Sequence, residues 1–219
     1  QRRKKQEEAM KNALVRAGYV ESFSKGVTPG PIEFVREVYF DHRCALGREF
    51  ARGEKKYAYV DFVVRCPSGR LVFLEVDEDQ HASYSQLCET TRMWNICESI
   101  ALSGEEMHVF WLRCNTDRPF RWNGEECHPE PGQRRLQICA FLDQLQQSPL
   151  DPPMQVGYAY YDAEGDMPLV LQDEEYHPSL KSAVVPIYGG LEFLKQPLVC
   201  QECFDSEDEA GPSAKRARV

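Results

Sequence analysis

Two short apolar runs joined by a tight turn place the strongest constraint on how this chain can fold. Residues 57–64 and 71–76 are dominated by β-branched and aromatic side chains, and Pro67-Ser68-Gly69 lies between them. Such runs around a proline–glycine turn predict a β-hairpin of two antiparallel strands. The remaining segments therefore have to be arranged around this strand pair.

The segments on either side of the hairpin have helical or extended patterns. Apolar residues recur at helical spacing in residues 1–17, 86–102 and 133–147. The chain from Ile32 onward and residues 107–112 have the composition of strands. Helices and strands that follow one another in this way predict an α/β fold, in which a mixed sheet carries helices on both faces.

The composition changes at a cluster of prolines that follows the last of these helices. We therefore predict a core that includes the N-terminal helix over residues 1–148, and a β-rich extension that packs on the core over residues 149–197. Within this extension, residues 156–161 and 169–171 predict a short hairpin. Residues 198–219 are first acidic and then basic, which is typical of a disordered tail.

The charge of the chain limits the classes of function open to it. With 26 Lys+Arg against 35 Asp+Glu, the net charge of -9 argues against a dedicated high-affinity binder of nucleic acid. It does not argue against an enzyme that contacts phosphates locally. Arg52, Lys55 and Lys56 precede the first hairpin strand and are candidates for such contacts, with a solvated basic loop as the alternative.

No apolar run approaches the roughly 20 residues needed to span a bilayer, and the sequence contains no signal-peptide pattern. We therefore expect an intracellular protein without a membrane partner. The basic stretch Lys215-Arg216-Ala217-Arg218 indicates the nucleus as its location.

The cysteines indicate a reducing environment. There are nine, an odd number without the spacing of a disulfide framework, which is typical of reduced thiols. Structural zinc at Cys200-x-x-Cys203, or at His42-x-Cys44 together with Cys88, is a less favoured alternative, because neither spacing completes a recognised site.

Three carboxylates occupy positions in or next to the apolar hairpin strands. Asp61 lies inside the first run, and Glu75 and Asp77 come two residues apart at the end of the second. Pairing through the turn brings Asp61 within reach of Glu75, and strand alternation puts Glu75 and Asp77 on one face. Carboxylates crowded at the edge of an apolar core repel one another and lose hydration, so a hard cation such as Mg²⁺ or Mn²⁺ is the simplest compensation. An acidic strand-end loop in water is the alternative.

The spacing of these carboxylates resembles a known nuclease signature. Asp61, thirteen intervening residues and Glu75-Val76-Asp77 resemble the PD-(D/E)XK motif, with Asp77 where that motif has its lysine. The continuation through Gln80 and His81 resembles the variant found in Vsr-like endonuclease domains, including those of giant viruses and protists. Further segments that look similar to this family are 88–93, 113–117 and 160–162.

The resemblance implies a restriction-endonuclease-like three-layer core and metal-dependent hydrolysis of phosphodiester bonds in DNA, with RNA not distinguished. Asp61 and Glu75 match the metal-binding carboxylates. Asp77 cannot replace a lysine and would instead be a further metal ligand. Gln80 and His81 would orient water or a phosphate, and the His81 imidazole can accept a proton near pH 7. A loop histidine with only local hydrogen bonds is the alternative.

Two more polar residues follow this motif along the chain. Arg92, in the next helix, would hold a phosphate or a site carboxylate, or else pair with Glu89 on a solvated helix face. Asn115, after the next strand, would line the same cleft or only cap the following turn.

The function predicted from these residues is that of a Mg²⁺-dependent endonuclease that nicks or cuts DNA. The alternative is a catalytically inactive module of the same fold that binds nucleic acid or protein. The missing lysine and the acidic balance of the chain favour that alternative.

Overall fold

The predicted hairpin lies in the middle of a six-stranded mixed sheet. A computed structural model describes residues 2–22, 32–42, 56–81, 84–102, 108–147, 150 and 152–186. Its helices are α1 (Arg2–Arg16), α2 (Gln86–Leu102), α3 (Pro131–Gln147) and α4 (Pro178–Lys181), with 3-10 segments at Glu78–His81 and Leu169–Gln172. Its strands are β1 (Val20–Glu21), β2 (Glu33–Asp41), β3 (Tyr57–Arg65), β4 (Leu71–Val76), β5 (Val109–Cys114), β6 (Phe120–Trp122), β7 (Glu125–Cys127), β8 (Met154–Ala159), β9 (Ala163–Glu164) and β10 (Met167–Pro168).

The main sheet has the strand order β1-β2-β3-β4-β5-β8. The pairs β2–β3 and β3–β4 are antiparallel, whereas β1–β2, β4–β5 and β5–β8 are parallel. Parallel neighbours need a crossover, and here α2 lies in the connection from β4 to β5 and α3 in the connection from β5 to β8. The topology therefore joins a hairpin to two crossover units in one sheet.

Two core clusters lie on the two faces of this sheet. One contains residues of α1 and α3, such as Leu14 and Phe141, packed with Leu74 of β4. The other contains Met93 of α2 and Leu180 of α4, packed with further strand residues. The predicted class is confirmed: a mixed sheet is flanked by helices, as in a three-layer α/β core. No helix in the described part of the chain is both long and apolar enough to cross a membrane.

The segment predicted as a separate extension contributes a strand to the main sheet. Instead of pairing in a short hairpin with residues 169–171, β8 pairs in parallel with β5 from Val109↔Met154 to Cys114↔Ala159. The end of β8 is buried, and it covers the edge of β5 that would otherwise carry unpaired backbone groups. The hairpin prediction was wrong because local pattern does not reveal which distant strand has an open edge.

A second, four-stranded sheet has the order β10-β9-β6-β7. Its hairpin β6–β7 turns at Asn123 and Gly124, whose φ angles are 49° and 83°. Asn-Gly with positive φ at both positions is the preferred two-residue hairpin turn. The predicted tail, residues 198–219, lies outside the described residues.

Candidate functional site

Asp61 lies at a break in the regular alternation of side chains along strands β2 and β3, where successive side chains change the face of the sheet on which they lie. Val38 and Val60 pack into the core cluster on the α2 side, but Phe62, two residues later, packs into the cluster on the α1 side. Between the corresponding positions of β2, Glu37 has a φ of 49°, a left-handed conformation that interrupts regular alternation. The regular alternation of side chains therefore breaks at Asp61, whose carboxylate is bound by a backbone N–H at the end of β4.

Glu75 is the cross-strand neighbour of Asp61. The antiparallel pairing of β3 with β4 ends at Phe62 and Leu74, and Asp61 and Glu75 are the next residues on the two strands. Just beyond this last pair, the Val76 N–H donates a hydrogen bond to Asp61 Oδ2 at 3.0 Å. The Asp61 and Glu75 residues are only 6% and 1% exposed. The structure thus brings together the first two predicted carboxylates at the end of β4.

Asp77 is fully buried and holds an arginine. Arg113 donates from Nε to Asp77 Oδ2 at 2.6 Å and from Nη2 to Asp77 Oδ1 at 3.0 Å, which is a bidentate ion pair. The Tyr161 hydroxyl donates to the same Oδ2. Asp77 is therefore the counter-ion of Arg113 at the position where the sequence predicted a metal ligand.

Arg92 links Glu75 to a carboxylate of α2. Its Nη1 donates to Glu75 Oε1 at 2.9 Å and to the Tyr59 carbonyl at 2.7 Å, and its Nη2 donates to Glu89 Oε2 at 3.2 Å. The same Glu89 oxygen accepts from Arg113 Nη2 at 3.0 Å. Both sequence-based alternatives for Arg92, a site carboxylate and Glu89, are thus present at once. We call this set of four carboxylates and two guanidiniums (Asp61, Glu75, Asp77, Glu89, Arg92 and Arg113) the carboxylate–arginine network.

Burial perturbs the Glu75 carboxyl group. Loss of hydration raises the pKa of Glu75 to about 7; Arg92 opposes this shift, and the charges of Asp61 and Asp77 add to it. The guanidinium of Arg92 therefore does not fully offset the loss of hydration at Glu75. At neutral pH this position favours either a proton or a further cation.

The raised pKa of Glu75 predicts a pH-dependent cost to the fold of the metal-free protein. The folded state holds this proton up to about pH 7, whereas an ordinary carboxyl releases it near 4.5. As the pH rises from about 4.5 to about 7, the free energy of unfolding is therefore expected to fall, by an amount on the order of 3 kcal/mol. Glu75→Gln should lack this contribution.

Chemical denaturation in the presence of chelator, at a series of pH values, measures this difference. The matched control is Glu164→Gln, because Glu164 is exposed. If Glu75 were an ordinary carboxyl group, the stabilities of the parent and of Glu75→Gln would change with pH in parallel. That result would contradict the prediction.

Gln80 and Asn115 hold the loops around the network. The Gln80 amide donates to Asp162 Oδ1 at 3.0 Å and accepts from the Asp162 N–H at 2.8 Å, which ties the turn after β4 to the turn after β8. Asn115 is fully buried and donates to the carbonyls of Tyr160 and Arg118. Asn115 therefore makes the contacts of a turn cap, and its predicted place in the cleft stays a prediction. The backbone of residue 81 ends the 3-10 segment, and the His81 side chain lies outside the described residues.

The predicted phosphate contacts fall mostly outside the described chain. Lys56 is exposed immediately before β3, which fits such a contact and a solvated position equally. Arg52 and Lys55 lie outside the described residues, so their contact with a phosphate backbone stays a prediction.

The alternative zinc sites lie partly or wholly outside the described residues, so they stay predictions. His42 is buried, with Nδ1 3.3 Å from Ser99 Oγ, and Cys88 is exposed. Cys44, Cys200 and Cys203 lie outside the described residues. Within residues 2–22, 32–42, 56–81, 84–102, 108–147, 150 and 152–186, no group of three or more His, Cys, Asp or Glu is placed to hold a metal ion.

Sequence reasoning assigned no role to Arg113 or Tyr161, and it considered Glu89 only as a partner of Arg92 on a solvated helix face. One signal was available: Arg113 ends an apolar run that was predicted to be a buried strand. An arginine is almost never fully buried unless it is paired, so an arginine at this position predicts a buried carboxylate partner. The partner could not be named, because Arg113 meets Asp77 only through the pairing of β4 with β5.

Two carboxylates of the network have the chemistry that a hard cation requires. Mg²⁺ needs one or two carboxylates, with water and substrate phosphate as its other ligands. Asp61 and Glu75 provide such a pair, and the raised pKa of Glu75 means that its charged form at this buried position is disfavoured unless a cation offsets the charge. Asp77 does not fit as a third ligand, because Arg113 and Tyr161 bind its oxygens.

Comparison with known proteins identifies no relative of the chain: no family model, no curated protein and no solved structure matches it.

Proposed function

We propose that the chain is a metal-dependent endonuclease that hydrolyses phosphodiester bonds in DNA, with Asp61 and Glu75 as the metal-binding carboxylates. The observation that carries the proposal is the burial of Asp61 and Glu75 just beyond the last paired residues of β3 and β4, where the Val76 N–H binds Asp61. Two acidic side chains with so little exposure are costly unless a cation joins them.

A divalent ion held by Asp61 and Glu75 would polarise a bound phosphodiester and lower the pKa of a bound water. The chain supplies the surroundings for this chemistry. Arg92 is anchored by Glu89 and the Tyr59 carbonyl as well as by Glu75, so its guanidinium can keep its place when Glu75 binds an ion. In that place it can donate to a phosphate oxygen.

Asp77 has a different task in this proposal. Its bidentate pair with Arg113 fixes the end of β4 against the end of β5, directly after Glu75. Asp77 is thus a positioning residue for Glu75, and the proposed metal shell is smaller than the three carboxylates predicted from the sequence.

Supercoiled plasmid DNA tests the proposal directly. In the presence of Mg²⁺ or Mn²⁺ the purified protein is expected to convert the plasmid to nicked or linear forms, and chelator should stop the conversion. A structured RNA incubated in parallel distinguishes the two classes of nucleic acid. Plasmid that stays supercoiled with either ion contradicts the proposal.

One observation favours the second candidate, a catalytically inactive module of the same fold. Guanidiniums of Arg92 and Arg113 already pair with Glu75 and Asp77, so the network has its own cations. In an inactive module Arg92 would be the permanent partner of Glu75. Mg²⁺ would then bind neither the parent protein nor Arg92→Gln, whereas the endonuclease proposal expects it to bind both.

A further inference from the structure

The buried carboxylate Glu75 already has a cation of the protein as its partner. Arg92 Nη1 donates to Glu75 Oε1 at 2.9 Å. The Glu75 side chain is 1% exposed, whereas that of Arg92 is 20% exposed. The proposed metal site and this ion pair therefore share one carboxylate, and Arg92 is the more exposed member of the pair.

A divalent ion at Glu75 would have to share this carboxylate with Arg92. Ionised Asp61 and Glu75 carry the two negative charges that one divalent ion balances. Two positive groups that contact the same carboxylate repel each other, and at buried positions water and salt screen this repulsion only weakly. An ion held by Asp61 and Glu75 is therefore most stable when Arg92 has moved its charge away from Glu75.

Arg92 has contacts that do not involve Glu75. Its Nη1 also donates to the Tyr59 carbonyl at 2.7 Å, and its Nη2 donates to Glu89 Oε2 at 3.2 Å. The guanidinium carbon lies 6.0 Å from the centroid of the Trp111 ring, which is within the range of a cation–π contact. Arg92 can thus give up Glu75 and still keep a carboxylate, a carbonyl and an aromatic ring as partners.

Glu89 is itself held by a second arginine. The Glu89 oxygen that binds Arg92 also accepts a hydrogen bond from Arg113 Nη2 at 3.0 Å, and Arg113 is bound by both oxygens of Asp77. This chain of contacts does not include Glu75. Glu89 therefore remains the second carboxylate partner of Arg92 whether or not Glu75 binds an ion.

The position of Arg92 beside Glu75 leaves one of its donors unsatisfied. Arg92 Nε is buried and has no hydrogen-bond partner among the residues that the structure describes. A buried donor without an acceptor costs free energy. The guanidinium is therefore not completely satisfied where it lies, and a shift of Arg92 away from Glu75 costs less than the loss of a fully satisfied ion pair.

We propose that the Arg92–Glu75 ion pair is an autoinhibitory contact: Arg92 competes with the metal ion for Glu75 and gives up this one contact when the ion binds. The inference rests on the proposed function, because it concerns the regulation of the same metal site. The contact sets the ion concentration at which the site fills, since each bound ion has to replace Arg92 at Glu75. The donor that Arg92 recovers then becomes available to a phosphate oxygen.

Mn²⁺ binding without nucleic acid, followed by electron paramagnetic resonance, tests this competition. Arg92→Gln removes the competing charge and is expected to lower the Kd for Mn²⁺ about tenfold or more. Arg92→Lys should bind nearly as weakly as the parent, because its ammonium group again places a positive charge beside Glu75. The pH is kept well above 7, because burial raises the pKa of Glu75 to about 7 and a proton on Glu75 also competes with the ion.

The direction of the change separates competition from a structural role. A residue that only holds the site together weakens both metal binding and cleavage when it is removed. Arg92→Gln is instead expected to bind Mn²⁺ more tightly and to cleave plasmid more slowly, because the guanidinium for the phosphate is missing. Arg118→Gln is the matched control, since Arg118 is 46% exposed and lies 4.0 Å from its partner Asp79. It should bind Mn²⁺ as the parent does.

A crystal structure of the parent protein with Mn²⁺ tests the same contact without a variant. With the ion at Asp61 and Glu75, Arg92 Nη1 is expected to lie beyond hydrogen-bond distance of Glu75, while Arg92 keeps its contacts with Glu89 and the Tyr59 carbonyl. An ion at Glu75 with the Arg92–Glu75 contact intact overturns the inference. So does a Kd for Arg92→Gln that is equal to or higher than that of the parent, in a protein whose thermal melt shows that it is folded.

Failure of this inference is distinguishable from failure of the proposed endonuclease. Equal Mn²⁺ affinity of the parent and Arg92→Gln, together with cleavage of plasmid, would keep the endonuclease and remove the autoinhibitory contact. Tighter binding by Arg92→Gln with no cleavage by the parent would keep the contact and remove the endonuclease. Mn²⁺ that binds neither protein overturns both.

Discussion

Asp61→Asn is expected to lower the rate of metal-dependent plasmid cleavage at least about 100-fold, the size of effect seen when one key electrostatic contact of an active site is removed. Asparagine keeps the shape of the side chain and an oxygen that can accept the hydrogen bond from the Val76 N–H. The change removes the negative charge, and with it the attraction for a divalent ion. Glu75→Gln should have a loss of the same order.

Initial rates of plasmid nicking over a range of Mg²⁺ concentrations measure this effect. Asp79→Asn is the matched control: Asp79 belongs to the same acidic stretch, but its side chain is 67% exposed and pairs only loosely with Arg118, at 4.0 Å. It should cleave at the rate of the parent. Full activity in Asp61→Asn would falsify the assignment of Asp61 to the metal.

Arg113→Met is expected to destabilise the fold by about 3–5 kcal/mol, because it leaves the charge of Asp77 buried without its partner. Arg113 is 1% exposed, and its guanidinium makes two hydrogen bonds to Asp77 and one to Glu89. Arg113→Lys should recover only part of the loss, since an ammonium group cannot reproduce the bidentate contact. Chemical denaturation measures both variants.

A double variant keeps this prediction testable where Arg113→Met alone fails to fold. Asp77→Leu combined with Arg113→Met removes both charges, and replacing a buried pair by apolar residues is often neutral or stabilising. The double variant should therefore be more stable than Arg113→Met. Arg118→Met, at an exposed and distant ion pair, should stay within about 0.5 kcal/mol of the parent. Equal losses in Arg113→Met and Arg118→Met contradict the account.

The proximity of Asp61 and Glu75 was predictable because it depends only on the number of residues between each of them and the hairpin turn. A hairpin with a short turn fixes its own register, so the position of Pro67-Ser68-Gly69 sets which residues of β3 and β4 face each other. The three longer helices were equally accessible, since their apolar periodicity is read within a single segment.

The partners of Glu75 and Asp77 were only partly accessible from sequence. Arg92 was a candidate because it lies in the next helix, but Arg113 meets Asp77 only when β5 pairs in parallel with β4. That pairing depends on which strand edges remain open after the whole chain has folded, as does the addition of β8 to the sheet. A count of carboxylates near one strand therefore could not reveal that the fold places an arginine on Asp77.

Binding of Mn²⁺ in the absence of nucleic acid, followed by electron paramagnetic resonance, tests the central claim that Asp61 and Glu75 require a cation. The account predicts saturable binding by the parent protein, loss of that binding in Asp61→Asn and in Glu75→Gln, and retained binding in Asp79→Asn. Mn²⁺ that stays fully in solution with the parent, or that binds all four proteins alike, would show that the two arginines already satisfy the buried carboxylates.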